Sequence, residues 1–228
     1  TGKCVVAALF GVALLMAGTA YLLVPGLGPK WEFVLSLRVS RLAGLMVVGV
    51  AIAVATVLFQ TVSRNRILTP QIMGFDALFI MVQTLLVAAL GPVGFATLPT
   101  APKFAVEVLM LVLASLLLFG TLLGSGARDI PRMILTGVIL GVLFRSIAGF
   151  VARFLDPNAF FLVQAESAAS FSRVDAALLP WAAGITTLAA AAALWLGPRL
   201  DVLALGRTPA VSLGLRHDGL VFLTLALV

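Results

Sequence analysis

Long apolar blocks separated by short polar breaks fill most of this chain. The blocks cover residues 5–24, 42–61, 73–90, 104–123, 133–153 and 177–196, and a further block begins at Leu220. Each complete block has about the 20 residues that a tilted helix needs to cross a bilayer, and none alternates as a membrane β-strand does. The pattern predicts an all-α, polytopic transmembrane helical bundle with six spans and the start of a seventh.

The breaks between blocks carry residues typical of turns, such as Gly91-Pro92 and Gly197-Pro198. The last block has only nine residues, 220–228, which are too few to cross a bilayer. We therefore expect residues 1–228 to form a single transmembrane domain that is incomplete at its C-terminal end.

Residues 154–176 are too polar for the bilayer core and too apolar for a plain loop, because Gln164, Glu166 and several serines lie among Phe and Ala. We expect a short, non-spanning helix at the outer surface or against the bundle. Asp156-Pro157 or Asn158 would begin this helix.

The composition agrees with membrane embedding. Hydrophobic residues make up 62% of the 228 positions and charged residues 11%, and the mean hydropathy is +1.19. A soluble domain is roughly half apolar and about a quarter charged, so the excess apolar surface has to face lipid. The net charge of +6 does not indicate nucleic-acid binding, because three Trp and one Tyr provide no basic–aromatic platform for stacking bases.

The sequence offers no set of residues suited to catalysis or to metal binding. Cys4 is the only Cys and His217 the only His, which excludes a disulfide framework and a metal or acid–base cluster. The only Gly-Lys pair is Gly2-Lys3, so the phosphate-binding pattern Gly-x-x-x-x-Gly-Lys-Ser/Thr is missing. We expect a protein that is not an enzyme and holds no cofactor.

The distribution of basic residues between the spans predicts the orientation. With a cytoplasmic N-terminus, eight lie inside: Lys3, Arg64, Arg66, Arg128, Arg132, Arg199, Arg207 and Arg216. Six then lie outside: Lys30, Arg38, Arg41, Lys103, Arg153 and Arg173. Because cytoplasmic loops carry an excess of Lys and Arg, this orientation is favoured.

Three stretches, taken together, resemble one family. Residues 37–76 hold an Arg-x-x-Arg pair, a small-residue helix and a Gln-x-x-x-x-Asn loop, and residues 132–179 run from Arg-Met-Ile-Leu-Thr-Gly through Asp-Pro-Asn and Ala-Ser-Phe. Residues 205–215 read Leu-Gly-Arg-Thr-Pro-Ala-Val-Ser-Leu-Gly-Leu. In this order they resemble the FecCD-type permeases of ABC importers for iron–siderophores, haem and cobalamin, and in particular the iron-chelate branch. Arg207 and Pro209 depart from the family's common residues.

The resemblance implies a permease subunit that imports a ferric siderophore or a similar iron chelate. Its implied partners are ABC ATPase subunits, a periplasmic siderophore-binding protein, a second permease subunit that is identical or different, and membrane lipid. The implied location is the bacterial cytoplasmic (inner) membrane. Family members have about ten helices, so the chain would contain roughly the first two thirds of the permease domain.

Arg38 and Arg41 open the second span from the outer side, three residues apart and hence on one helix face. Such side chains can reach out to lipid phosphates. However, basic residues are disfavoured outside, and Arg forms bidentate pairs with carboxylates. In the resembling family this pair docks acidic residues of the binding protein. Lipid contact and docking both stay open.

The stretch 203–217 combines apolar and small residues between two spans. By itself it predicts a surface helix. The resemblance implies instead the cytoplasmic coupling loop that fits a cleft on the ATPase, and the residues expected at this contact are Leu205, Gly206, Ala210, Leu213 and Gly214. Because Ala210 and Gly214 are four apart, a helical turn would present them as a surface for close approach.

Arg145 lies within the fifth span, where Arg is costly and faces protein or water. With Gly149 and Arg153 it forms a basic stripe at a spacing of four toward the outer half of the helix. Arg145 would pair with Asp156 or Glu166 and hold the segment that follows, or the stripe would line a path for anionic ferric catecholates. The sequence leaves both interpretations open.

Six further polar residues receive structural interpretations. Asn65 is expected to turn the backbone, and its two neighbouring arginines to anchor the inner loop. Asp76 is expected to mark a helix start rather than bind an ion. Glu107 would pair with Lys103, four residues earlier.

Two functions of other classes also stay open. One is a proton- or ion-driven secondary carrier, although the spans contain no inward-facing acidic relay and such carriers seldom need a helical docking loop. The other is a membrane fragment or scaffold that does not transport, which the early end of the chain keeps under consideration.

Overall fold

A computed structural model describes residues 2–23, 31–72, 74–126, 130–167, 174 and 176–228, with side chains for all of these except 2–8, 117–126, 130–134 and 166–167. Nine helices and no strand occur in this part of the chain. They are α1 (Gly2–Leu23), α2 (Trp31–Ser63), α3 (Phe75–Ala96), α4 (Thr100–Gly126), α5 (Ile130–Ala152), α6 (Pro157–Ser167), α7 (Leu179–Ala204), α8 (Arg207–Ser212) and α9 (His217–Leu227). Lys30, Arg128 and Arg173 lie outside the described residues.

The helices have the lengths and apolarity that a membrane requires. Within the described ranges, four stretches are long and apolar enough to cross a bilayer: Trp31–Ser63, Phe75–Ala96, Leu135–Ala152 and Leu179–Ala204. Helices α1 and α4 have 22 and 27 residues, and α6 and α9 have 11 each. The predicted all-α, multi-pass class is confirmed.

Helix α2 begins at Trp31, eleven residues before the predicted start of the second span. The apolar block marks the thickness of the hydrocarbon, whereas the helix continues beyond it. Its 33 residues span about 50 Å at 1.5 Å per residue, against a hydrocarbon core of about 30 Å. Arg38 and Arg41 therefore lie inside the first three turns of α2 rather than before it.

Gly197-Pro198 does not end a helix, and the break predicted there is wrong. Helix α7 continues through Pro198 to Ala204. Leu196, Leu200 and Leu203 follow one another at helical spacing and are all buried in one core cluster, so packing holds the helix together on both sides of the proline. At Gly91, in contrast, α3 does break, with φ 71° and ψ 166°.

Three buried clusters join the helices. The first packs the end of α2 against α7 and α9 and contains Leu58, Phe59, Leu68, Leu196, Leu200, Leu203, Leu220, Val221 and Leu225. The second joins α3 to α5 through Ala77, Leu78, Val82 and Phe144. The third seats the short helix α6 on α3 through Val87, Phe95, Ala159 and Val163.

Helices α3 and α5 approach each other most closely where α3 begins. A Cβ added at Gly74 would lie 2.7 Å from the Cα of Gly141, and Gly74 has φ +87°, so glycine is required there for space and for conformation. Gly141 is the twelfth residue of α5, about 16 Å along that helix. The first turn of α3 therefore lies beside the middle of α5.

Candidate functional site

The chain places its candidate sites at opposite ends of the long helix α2. We call the end that holds Arg38 and Arg41 the Arg38 end. We call the opposite end, with the turn after α2 and the residues that follow α7, the Arg64 end. Arg64 lies directly against Gly206, which shows that these two connections share one end of the bundle.

At the Arg38 end, Arg38 caps the preceding helix. Its Nη1 donates to the carbonyl oxygens of Tyr21 and Leu22, both at 3.4 Å, in the last turn of α1. Cations are favoured there because the last carbonyls of a helix carry partial negative charge. Arg41, one turn further along α2, is half-buried. Arg38 thus has a structural role that sequence reasoning missed, and docking stays a prediction for both residues.

At the Arg64 end, the short helix α8 divides the predicted coupling residues into two groups. Gly206 and Ala210 are buried in the protein, and Ala210 is completely inaccessible. Leu205 and Leu213 are 62% and 64% exposed, and Gly214 is also exposed. Ala210 therefore faces the bundle and the exposed residues are the ones open to a partner, while the coupling role of all five residues stays a prediction.

Val211 is a surface residue that sequence reasoning missed. It is 56% exposed and lies on α8 next to the buried Ala210. Leu205 and Leu213, on either side of it in the chain, are exposed aliphatic residues as well, and we call these three residues together the α8 surface. Helical spacing could have identified Val211, because the residue next to one that faces the bundle points away from it on a helix.

A pair of charged contacts closes the turn between α8 and α9. Arg207 Nη2 donates to Asp218 Oδ2 at 3.1 Å, and His217 Nδ1 lies 3.0 Å from Asp218 Oδ1. The hydrogen bond from His217 is the main cause that holds the pKa of Asp218 below its ordinary value; burial opposes it, and the charges of Arg207 and His217 add to the lowering. The contribution of this carboxylate to stability is therefore present above its ordinary pKa and is lost only as the pH falls through the lowered one.

Arg145 forms an ion pair with a residue that was not among its predicted partners. Its Nη2 lies 2.6 Å from Asp76 Oδ2, in the first turn of α3. The cause is the close approach described above, because Arg145 is one helical turn beyond Gly141, which contacts the residue before α3. Asp156 is exposed, and the side chain of Glu166 is outside the described residues.

The other two residues of the predicted basic stripe, Gly149 and Arg153, are exposed. A Cβ added at Gly149 would meet no atom within 4 Å, and Arg153 is exposed. A role for Gly149 and Arg153 in lining a path stays a prediction. Arg145 is instead tied to α3 by an ion pair, which fixes its guanidinium.

Two smaller expectations are confirmed. Asn65 Oδ1 accepts a hydrogen bond from the Ile67 N–H at 2.9 Å, which turns the backbone after α2. Lys103 and Glu107 form an ion pair at 4.0 Å, and the Lys103 ammonium also lies 3.8 Å from the centroid of the Phe95 ring.

The Asp76–Arg145 pair predicts a coupled loss of stability. Arg145→Ala removes the partner of Asp76 Oδ2, while Oδ1 of the same carboxylate is already buried without a hydrogen-bond partner among the described residues, so we expect a cost of about 1 kcal/mol. The Asp76→Ala, Arg145→Ala double variant should lose less than the sum of the single variants, by up to about 1 kcal/mol. Thermal unfolding of the detergent-solubilised permease measures both. Arg153→Ala, in the turn directly after α5, is the control, and strictly additive losses would contradict the pairing.

Comparison with known proteins places the chain in a family. Residues 3–228 match the model of the FecCD transport family. The chain is 36% identical over 217 residues to the petrobactin import system permease protein YclO of Bacillus subtilis, covering 95% of this chain and 68% of that protein. It is 29% identical over 205 residues to the petrobactin import system permease protein FatC of Bacillus anthracis, covering 90% of this chain and 58% of that one.

A solved structure has the same fold. It is described as an inward-facing conformation of a metal-chelate type ABC transporter, and it superposes with a TM-score of 0.78 over 97% of this chain and 72% of its own, at 23% identity. The residues that carried the resemblance in sequence, the helical architecture and the match over residues 3–228 agree. The chain belongs to the FecCD transport family.

Proposed function

We propose that this chain forms the membrane-spanning core of a permease subunit in an ABC importer for ferric siderophores. Support comes from the match to the FecCD transport family over nearly the whole chain and from two relatives named as petrobactin import permeases. Petrobactin is a siderophore, so an iron chelate of this class is the cargo that the relatives favour.

The observation that carries the proposal is the α8 surface. Leu205, Val211 and Leu213 are more than half exposed at the end of the bundle where α7 terminates. Exposed apolar side chains that face lipid need no partner. The α8 surface instead lies near the charged residues Arg207 and Asp218, where the protein meets water. Exposed apolar residues at such a place mark an interaction site. An ABC ATPase subunit is the partner that the family favours.

The contacts of α8 with the rest of the bundle suit it to transmit movement of a docked ATPase subunit. Ala210 anchors the helix to the bundle, the Arg207–Asp218 contact ties it to α9, and only Leu205 and Gly206 separate it from α7. Movement of α8 is therefore passed to α7 and α9 instead of being absorbed by a long loop. Closure of the ATPase subunits would in this way change the access of the cargo path.

ATP hydrolysis belongs to a separate subunit. The chain has no phosphate-binding Gly-Lys-Ser/Thr pattern, and no cluster of metal ligands occurs among its described residues. Permease subunits of ABC importers are in general not enzymes, and nothing in this chain gives a positive sign of catalysis.

We further propose that the Arg38 end faces the periplasm and receives a siderophore-binding protein, while the Arg64 end and the N-terminus face the cytoplasm of a bacterium with this protein in its inner membrane. In the predicted topology eight basic residues lie on the side of the Arg64 end and six on the side of the Arg38 end, and such an excess is typical of the cytoplasmic side. A second permease subunit, identical or different, would complete the path.

Leu213→Asp tests the α8 surface. A charge there should prevent the ATPase subunit from burying this residue, so we expect the amount of ATPase that co-purifies with the tagged full-length permease to fall at least tenfold. Leu213→Met keeps the apolar contact and is the matched control. Co-purification of the ATPase at the unaltered level with Leu213→Asp, in a variant that remains folded, would contradict the proposal.

Arg41→Glu tests the Arg38 end. If Arg41 meets a carboxylate of the binding protein, reversal of its charge should weaken complex formation, and the effect should be largest at low salt because screening is then weakest. Pull-down of the binding protein by the intact permease at several salt concentrations measures this. Arg153→Glu, an exposed arginine at the end of α5, is the control, and unchanged binding by Arg41→Glu would rule out the docking role.

A further inference from the structure

The turn that ends α2 contains an arginine in a conformation that favours glycine. Arg64 has φ +51° and is the one non-glycine residue with positive φ in the part of the chain that the structure describes. Its N–H donates to the Thr61 carbonyl at 3.3 Å, and the Asn65 N–H donates to the Gln60 carbonyl at 3.2 Å. This is the Schellman arrangement of a helix C-terminus, in which the left-handed position is usually glycine because a Cβ is unfavourable there.

The side chain of Arg64 explains why glycine is not used. A Cβ added at Gly206 would lie 2.7 Å from Arg64 Nη1, so the guanidinium fills the space where residue 206 would otherwise carry a side chain. Gly206 is buried, has φ +108°, and is the residue from which α8 begins. Arg64 and Gly206 thus complement each other. Arg64 carries a side chain that is unfavourable for its backbone conformation, and Gly206 has no side chain, which leaves room for the guanidinium.

The rest of the turn is fixed to the bundle as well. Gln60 Nε2 donates to the carbonyl of Arg66 at 2.7 Å, across the turn. Leu68 is only 2% exposed and packs in the cluster that contains residues of α2, α7 and α9. The position of Arg64 relative to Gly206 is therefore set from both sides, and its guanidinium is held on the start of α8.

Anchoring to the cytoplasmic surface does not account for this arrangement. An anchoring arginine needs a side chain that reaches water or phosphate, and an ordinary right-handed backbone provides that. Arg64 and Arg66 are both exposed, but only Arg64 has the left-handed backbone. Strain that persists at a single residue is informative when its surroundings hold it in place.

We propose that Arg64 is a positioning residue that joins the end of α2 to α8, so that movement of α8 is transmitted along α2. The proposal rests on the proposed function, in which α8 docks the ATPase. Helix α2 is continuous from Trp31 to Ser63 and carries Arg38 and Arg41 near its other end. A single rigid helix therefore connects the candidate docking sites for the ATPase and for the binding protein, and Arg64 is its contact with the first.

The test is Arg64→Gly in the full-length permease, assembled with its ATPase and reconstituted in liposomes. Glycine relieves the backbone strain, so thermal stability should stay equal or increase. The number of chelate molecules transported per ATP hydrolysed should nevertheless fall at least threefold, and stimulation of ATP hydrolysis by the loaded binding protein should decrease with it. Arg64→Lys, which keeps the charge but lacks the planar guanidinium, should show an intermediate loss.

Arg66→Gly is the matched control, because it removes an arginine from the same turn while keeping the carbonyl that Gln60 binds. It should leave the ratio of transport to hydrolysis unchanged. A normal ratio in Arg64→Gly would overturn the inference, and so would a loss of transport accompanied by a fall in thermal stability, since Arg64 would then serve folding alone.

Leu213→Asp, measured in parallel, separates this inference from the function on which it rests. If Leu213→Asp still assembles with the ATPase, the docking role of α8 fails, and the inference fails with it. If Leu213→Asp blocks assembly while Arg64→Gly couples normally, α8 is the docking helix and only the role of Arg64 is wrong.

Discussion

A backbone N–H or C=O group that lacks a partner in hydrocarbon costs several kcal/mol, and this constraint bears on the departures from regular helix among the described residues. Two of these departures occur where another part of the chain covers them. The turn at Arg64 packs on Gly206, and Gly74 lies on the backbone of Gly141. At these two positions the irregular backbone is lined by protein and distant segments of the chain come into contact, whereas a Cβ added at the Gly91 break would meet no atom within 4 Å.

Those contacts organise the molecule around α2. One end of this helix reaches back to the carbonyls of α1 through Arg38, and the other holds the start of α8 through Arg64. Leu58 and Phe59 pack its last turns against α7 and α9. The proposed import mechanism follows from this arrangement, because a force applied to α8 reaches the opposite end of the bundle through a helix of 33 residues.

The hydrophobic pattern was sufficient to predict the helical, multi-pass class, since lipid exposure leaves a strong signal in each segment, and the family followed from the motifs in three stretches of the sequence. It did not locate the helix ends. Apolar blocks report the thickness of the hydrocarbon, so the early start of α2 at Trp31 and the continuation of α7 past Pro198 were both missed. Packing by Leu200 and Leu203, which pattern alone does not reveal, decides the second case.

The candidate site was less predictable, because its geometry depends on how helices are offset along one another. Arg145 meets Asp76, 69 residues away in sequence, only because α3 begins beside the middle of α5. Similarly, burial of Ala210 depends on which side of α8 faces the bundle. Sequence spacing identified both segments as important, but it did not assign partners or exposed sides.

The most direct test of the central claim is uptake of an iron-labelled ferric siderophore by liposomes that contain the full-length permease, its partner subunits and the loaded binding protein. An ABC importer predicts uptake that requires ATP on the side of the ATPase, stops with vanadate and continues when ionophores collapse all ion gradients. Uptake that persists without the ATPase subunit and disappears with the ionophores would identify an ion-driven carrier and contradict the account.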